Sequence, residues 1–160
     1  MPHHPMMKRE REIVDQAAVE SIVRGGKFAV LALCRSNEPY VVTLSYGYDD
    51  RKKALYFHTA HKGLKLEFLS ANPAACATVI EDQGYVLGEC AHAYRSVVLY
   101  GTVVEVKDLA EKKHGLDVML RHLEDDPETV KKRSLKDDAA YDRAAILRFD
   151  IADMTGKEGR

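Results

Sequence analysis

Between Phe28 and Thr59 the chain carries three strand-length apolar segments separated by turns too short to hold a helix. Phe28 to Cys34 is a continuous apolar run, expected as a strand buried on both faces. Arg35–Glu38 reads as a hairpin turn. In the next segment Tyr40, Val42, Leu44 and Tyr46 alternate with Val41, Thr43, Ser45 and Gly47, which gives a second strand two distinct sides. Asp49-Asp50 opens another turn, and Ala54–Thr59 forms a third strand. Neighbours linked this tightly run antiparallel, because a parallel pair needs a crossover of about a dozen residues or more.

The same reading places a fourth strand over Cys76–Ile80 and a long fifth over Ser96–Val106, where Gly101 marks a bulge or a close backbone approach. A sixth spans Ala144–Ile151, after which the chain leaves through Met154–Lys157. Helices interrupt at few points. Asp15 is an N-cap, Val14 and Val19 are placed for a hydrophobic staple, and Val19, Ile22 and Val23 form one apolar face ended by Gly25-Gly26. A second helix runs from about Lys62 to Ala71, partly burying Leu64, Leu66, Phe68 and Leu69, and ends at Asn72-Pro73. Asp108 with Glu111 caps a third over 109–123, with Leu109, Leu116, Leu120 and Leu123 inward. Residues 1–12 read as an N-terminal arm and the charged stretch 125–142 as a solvated helix-and-loop segment. The expected fold is mainly β with peripheral helices (α+β): one domain over 1–160, built on a six-stranded antiparallel barrel.

With 160 residues, 46% apolar and 31% charged, the chain can bury one core. A net charge of −1 excludes a general basic field for nucleic acid or membrane, and no apolar run approaches the ~20 residues of a membrane span. Cys34, Cys76 and Cys90 are odd in number, and the first two lie in apolar segments, so buried free thiols and a cytoplasmic location are expected.

One placement is electrostatically odd. Lys62 and Lys65 fall at the start of a helix, directly after His58 and Thr59. A helix start carries partial positive charge and free N–H donors, so it favours anions over lysines. A phosphate among these groups accounts for the pattern; two solvated surface lysines on an ordinary helix are the alternative. His61 is expected as a plain surface residue, with capping of the helix or contact with a phosphate as the alternative. Cys90 and His92, with Cys76 or His114, make a poor zinc signature because no second spaced pair follows. Ser96 lacks a G-x-S-x-G elbow, and the tyrosines at 40, 46, 48, 56 and 100 suit packing and interfaces.

Several motifs occur together in a familiar order. They are Arg11-Glu-Ile13, Pro39-Tyr-Val-Val-Thr-Leu-Ser45, and Leu55-Tyr-Phe-His-Thr-Ala60 followed by Gly63, Lys65 and Asn72-Pro73. Tyr94-Arg-Ser-Val-Val98 through Gly101 and Thr155-Gly-Lys157 complete the set. The ordered set resembles the FMN-binding split-barrel flavoproteins related to pyridoxamine 5′-phosphate oxidase, and within them the nitroimidazole-resistance branch. Two departures bear on the substrate pocket: Thr43 stands where the branch often has proline, and Gly84–His92 lacks a tryptophan often found before the Tyr94 strand.

The resemblance implies a homodimer with FMN at the subunit interface. Lys65 would hold the phosphate, assisted by Lys62 and Thr59. The second strand, through Val42, Thr43 and Leu44 and the polar side formed by Val41, Thr43 and Ser45, would run along the isoalloxazine edge. His58 would meet the ring or the ribityl chain. Arg95 and Ser96 would approach the pyrimidine side from the partner subunit. The implied activity is reduction of a small oxidised substrate, nitroaromatics included, with NAD(P)H as donor and the chemistry carried by the flavin. A non-enzymatic module carrying flavin, deazaflavin or haem is the alternative implied by the same fold.

Overall fold

The computed structural model describes residues 5–159. Its strands are β1 (Glu12–Ile13), β2 (Phe28–Arg35), β3 (Glu38–Ser45), β4 (Gly47–Asp49), β5 (Ala54–Thr59), β6 (Ala74–Val86), β7 (Ala91–Val106) and β8 (Ala145–Gly159). Its α-helices are α1 (Gln16–Gly25), α2 (Leu64–Ala71), α3 (Leu109–Leu123), α4 (Pro127–Ser134) and α5 (Asp138–Asp142). One antiparallel sheet runs β3-β2-β6-β7-β8-β5-β4, with β1 added beside β8. β3 and β4 lie at opposite ends of that order yet are separated in the chain only by Tyr46. The sheet is therefore closed by the covalent chain through Tyr46. Counted as one bent strand, β3–β4 gives the six long strands expected, and the two-residue β1 is the addition.

The barrel interior is filled by the inward residues of each strand, including Leu31, Leu55, Phe57, Leu99, Leu147 and Phe149. α1 plugs one end with Val19, Ile22 and Val23, and Tyr46 Oη donates to the Val23 carbonyl at 2.5 Å. Asp15 caps α1 through the Ala17 amide, as its position predicts. The staple does not form: Val14 is exposed, and Ile13, held beside Gly156 by β1–β8 pairing, packs on the core instead. The rest of the N-terminal arm is a 3-10 turn over Arg9–Arg11; residues 1–4 of that expectation lie outside the described residues. α3 covers the outer side of β4, β5 and β8, packing Leu116 and Met119 on Tyr56 and Ile146. Its inward line is Lys112, Gly115, Leu116 and Met119, so the leucines at 109, 120 and 123 are only half-buried.

Three further expectations are corrected, the first being buried thiols, since Cys34 is exposed and Cys76 only half-buried. β2 is buried on one face only: Ala29, Leu31 and Leu33 point inward, while Phe28 is 56% exposed and Cys34 is exposed. An uninterrupted apolar run cannot by itself say whether a second layer covers the strand. β6, β7 and β8 are all longer than expected, because the polar segment 81–93 forms the end of a hairpin and Met154–Gly159 stays paired with β7. The Gly101 reading holds: the β7–β8 register shifts there, and a Cβ would stand 1.9 Å from the Asp150 carbonyl oxygen.

Candidate functional site at the split

β5 has two unlike halves. Ala54–Tyr56 pair with β4 on one edge and β8 on the other, whereas Phe57–Thr59 pair only with β8. β3 in turn pairs only with β2. Past Tyr46 the barrel is thus open between β3 and the end of β5, and both edges present unpaired backbone groups. The sequence builds this opening locally, since Gly47 and Tyr48 turn with the chain onto β5 while Ser45 stays opposite Phe28.

The predicted residues distribute around this split. Val42 and Leu44 pack inward on the core, and Val41, Thr43 and Ser45 lie on the exposed outer side of β3. On β5, Thr59 shares the inner face of Phe57 and is buried, whereas His58 is exposed on the face of Tyr56. The Thr59 hydroxyl oxygen is buried with no hydrogen-bond partner. Such an orphan costs about 1–3 kcal/mol.

The start of α2 differs from every other α-helix start among the described residues. Asp15, Asp108, Asp126 and Asp137 cap α1, α3, α4 and α5 by accepting from first-turn amides. α2 begins at Leu64, two residues later than expected, so Lys62 lies in the preceding loop and Lys65 in the first turn. Its N-cap is Gly63 at φ +143°, a backbone position glycine tolerates, and no side chain caps it. A Cβ at Gly63 would meet nothing within 4 Å, so the approach to the first amides is open. Neither Lys62 nor Lys65 has an ion-pair partner among the described residues, which is also true of Lys8, Lys27, Lys132, Lys136 and Lys157, so it is their place beside the α2 start that distinguishes them. His61 is exposed, as expected, and its Nε2 lies 2.5 Å from the Arg143 carbonyl oxygen.

Arg95 and Ser96 are elsewhere in the same chain. Ser96 pairs with Ile80 and Lys157, while the β7 residue level with His58 and Ile146 is Val106. That separation is ten residues of strand by the same register, a span of about 30 Å when extended. Arg95 is forked onto Glu81, with Nη2 2.8 and 2.9 Å from its two oxygens. One protomer therefore gathers β3, Thr59, Lys62 and Lys65, and leaves Arg95 and Ser96 apart.

The sequence reading did not reach a second polar cleft of about 420 Å³ between the β4–β5 turn and α3. There the buried Asp49 carboxylate accepts from the Arg51 and Lys52 amides and lies 2.5 Å from His114 Nε2. Burial would raise the Asp49 carboxyl, but these donors bring it below its ordinary value. The Asp49-Asp50 turn and the i, i+4 spacing of His114 and Val118 were its only signals. Cys90, His92, Cys76 and His114 do not converge; His92 pairs with Asp82 and His114 with Asp49.

Comparison with known proteins agrees with this architecture. A candidate 5-nitroimidazole antibiotic resistance protein from Bacteroides thetaiotaomicron superposes with a TM-score of 0.77 at 28% identity, over 92% of this chain and 86% of that one. An FAD-binding protein from Mesorhizobium loti gives 0.65 at 24%, over 91% and 95%. A flavocytochrome from Azotobacter vinelandii gives 0.80 at 19%, over 97% and 72%, a likeness of fold alone. A search of curated proteins found no match. The profile described as pyridoxamine 5′-phosphate oxidase matches residues 15–158, and the chain belongs to that family.

Proposed function

We propose that this protein binds FMN at a homodimer interface and uses it to reduce a small oxidised substrate, with a reduced nicotinamide as electron donor. The observation that carries the reading is the start of α2: two unpaired lysines, an uncapped helix N-terminus and an orphaned Thr59 hydroxyl at the mouth of the split. A phosphate dianion answers the lysines and the helix start, with Lys62 and Lys65 as point charges and the α2 amides as donors. The free edge of β3 at Val42, Thr43 and Leu44 offers backbone and hydroxyl groups to a flat polar ring edge. Redox chemistry would be supplied by the bound flavin itself. The chain's own residues bind, orient and exclude water, and no protein acid or base is assigned.

The dimer is supported by the outer side of β3, β2, β6 and β7, where Val41, Phe28 and Ile80 are 59%, 56% and 55% exposed on one continuous sheet. An apolar sheet face of this kind marks an interaction surface. A twofold copy covering it would also bring Arg95 and Ser96 to a second chain's site. Nitroaromatic compounds are the first substrates to test, given the likeness to the Bacteroides protein.

The absorption spectrum of the purified protein, followed by mass identification of the released chromophore, tests the cofactor. FMN supports the reading. A haem or deazaflavin chromophore replaces it, and a colourless protein that ignores added FMN overturns it. Steady-state reduction of nitroaromatics with NADH or NADPH separates an enzyme from a carrier.

A further inference from the structure

The cleft between the β4–β5 turn and α3 has a volume of about 420 Å³, and its lining includes Asp49, Arg51, His114, Val118, Arg121 and His122. It lies apart from the split. Asp49 pairs with Ala54 at the first residue of β5, whereas the open lip is Phe57–Thr59 at the other end. His114, Val118 and His122 follow one stripe of α3, with the two histidines about 12 Å apart along its axis.

The hydrogen bonds fix which nitrogen of each ring can still accept. Against the opposing effect of burial, the Lys52 amide and His114 hold the Asp49 carboxyl below its ordinary value. Asp49 is therefore a carboxylate that only accepts, and His114 Nε2 is the donor across 2.5 Å. A carbonyl also only accepts, so His122 Nε2 donates to Gly26 at 2.6 Å. Burial keeps the His122 ring below its ordinary value and hence neutral near pH 7. In each neutral ring Nδ1 is left as an acceptor, and among the described residues no donor reaches either one.

The charges of the cleft are unevenly used. Two amides and His114 satisfy Asp49, and Arg24 lies 2.7 Å from Asp50, so neither acid calls for a further cation. Arg121 is held by Asp117 at 3.0 Å, while the exposed Arg51 has no ion-pair partner among the described residues. We propose that this cleft is a second ligand site of the chain, taking a hydroxylated organic anion such as a sugar acid or sugar phosphate. Its oxyanion sits on Arg51 and Arg121, its hydroxyls donate to Nδ1 of His114 and His122, and Val118 lies against its carbon chain. Fastening the turn to α3 would account for the Asp49–His114 pair alone. It leaves unexplained a second imidazole of the same tautomer in the same cleft.

A titration of the purified protein at pH 8, above the ordinary imidazole range, tests this through the ring ¹⁵N shifts of His114 and His122. The signals report on the cleft whether or not flavin is bound. Gluconate and glucose 6-phosphate are compared with hexanoate, which lacks hydroxyls, and sorbitol, which lacks charge. Before any addition Nδ1 of both rings should be the unprotonated nitrogen; the opposite tautomer in His114 would overturn the proposal. At least one of the two hydroxylated anions should move both Nδ1 signals saturably, about tenfold more tightly than hexanoate or sorbitol. The tighter of the two identifies carboxylate or phosphate as the preferred headgroup. Arg51→Gln, at an exposed position, should weaken that anion about tenfold and leave the thermal midpoint unchanged. No saturable shift with either anion, equal binding of hexanoate, or full affinity in Arg51→Gln would each sink the assignment.

Discussion

Over β4, β5 and β8 the outer surface of the barrel is roofed by α3, whereas over β3, β2, β6 and β7 it is bare. Under the roof, backbones approach so closely that a Cβ at Gly47 would stand 2.5 Å from Met119 Cα, and one at Gly115 would stand 2.6 Å from the Tyr56 ring. Charges there are mutually satisfied. Lys112 donates to the Asp142 carbonyl at 2.5 Å, and Arg148 is shared between Asp150, at 2.7 Å, and Glu111. On the bare side large apolar groups face outward, and at its margin lie Lys62 and Lys65, for which the described residues supply no counter-ion. The roofed side meets most of its needs within the chain, the Asp49–His114 cleft apart, whereas the bare side leaves a broad apolar area for something else to complete.

Four measurements press on that contrast. The largest effect is expected from Val41→Asp on the bare face. It should turn a dimer into a monomer by light scattering while leaving the unfolding free energy of the isolated chain within about 0.5 kcal/mol. A dimer that survives would show that the bare face is not the interface. Under the roof the reverse is expected: Gly47→Ala should leave assembly intact but lower stability by about 1–3 kcal/mol, read from a urea midpoint, because the helix backbone must retreat. Lys65→Ala should cost the flavin about 1.5–3 kcal/mol of binding, seen as chromophore loss on dialysis. If stoichiometric flavin survives, another group holds the phosphate. The mildest effect near neutrality is pH-linked. Burial raises the Tyr46 phenol well above its ordinary value. The unfolded chain releases that proton at about pH 10 and the folded one holds it, so stability should be intact below about pH 10 and fall as pH climbs beyond it.

Much of this architecture was legible in the residues. The period-2 segment from Tyr40, the Arg35–Glu38 turn, the Asp15 and Asp108 caps and the Gly101 approach all correspond to the structure, because each is decided by contacts close in sequence. What was not legible depends on distant partners. Phe28–Cys34 is equally apolar whether or not a layer covers its outer face, and only the fold reveals that none of the described residues does. The 81–93 segment carries no strand signal of its own; it pairs as the end of a hairpin with cross-strand Arg95–Glu81 and His92–Asp82 contacts. Of the site, the lysines at α2 stood out because they violate a helix-end preference. The opposite facing of His58 and Thr59, and the distance of Arg95 from Lys65, follow from register and could not be seen in spacing.

Tyr46 has a mechanical consequence. A barrel whose last seam is sewn by one residue of chain, rather than by a ladder of hydrogen bonds, behaves as a split ring pinned at a single rivet. The rivet is firm, since Tyr46 is wholly buried and bonded to α1 through Val23. The lips at β3 and Phe57–Thr59 can part without breaking an inter-strand bond between them, so a planar guest can be admitted edgewise and released with little disturbance to the core. Amide exchange along those lips should accordingly outrun exchange along β7, whose two edges are both zipped for most of its length.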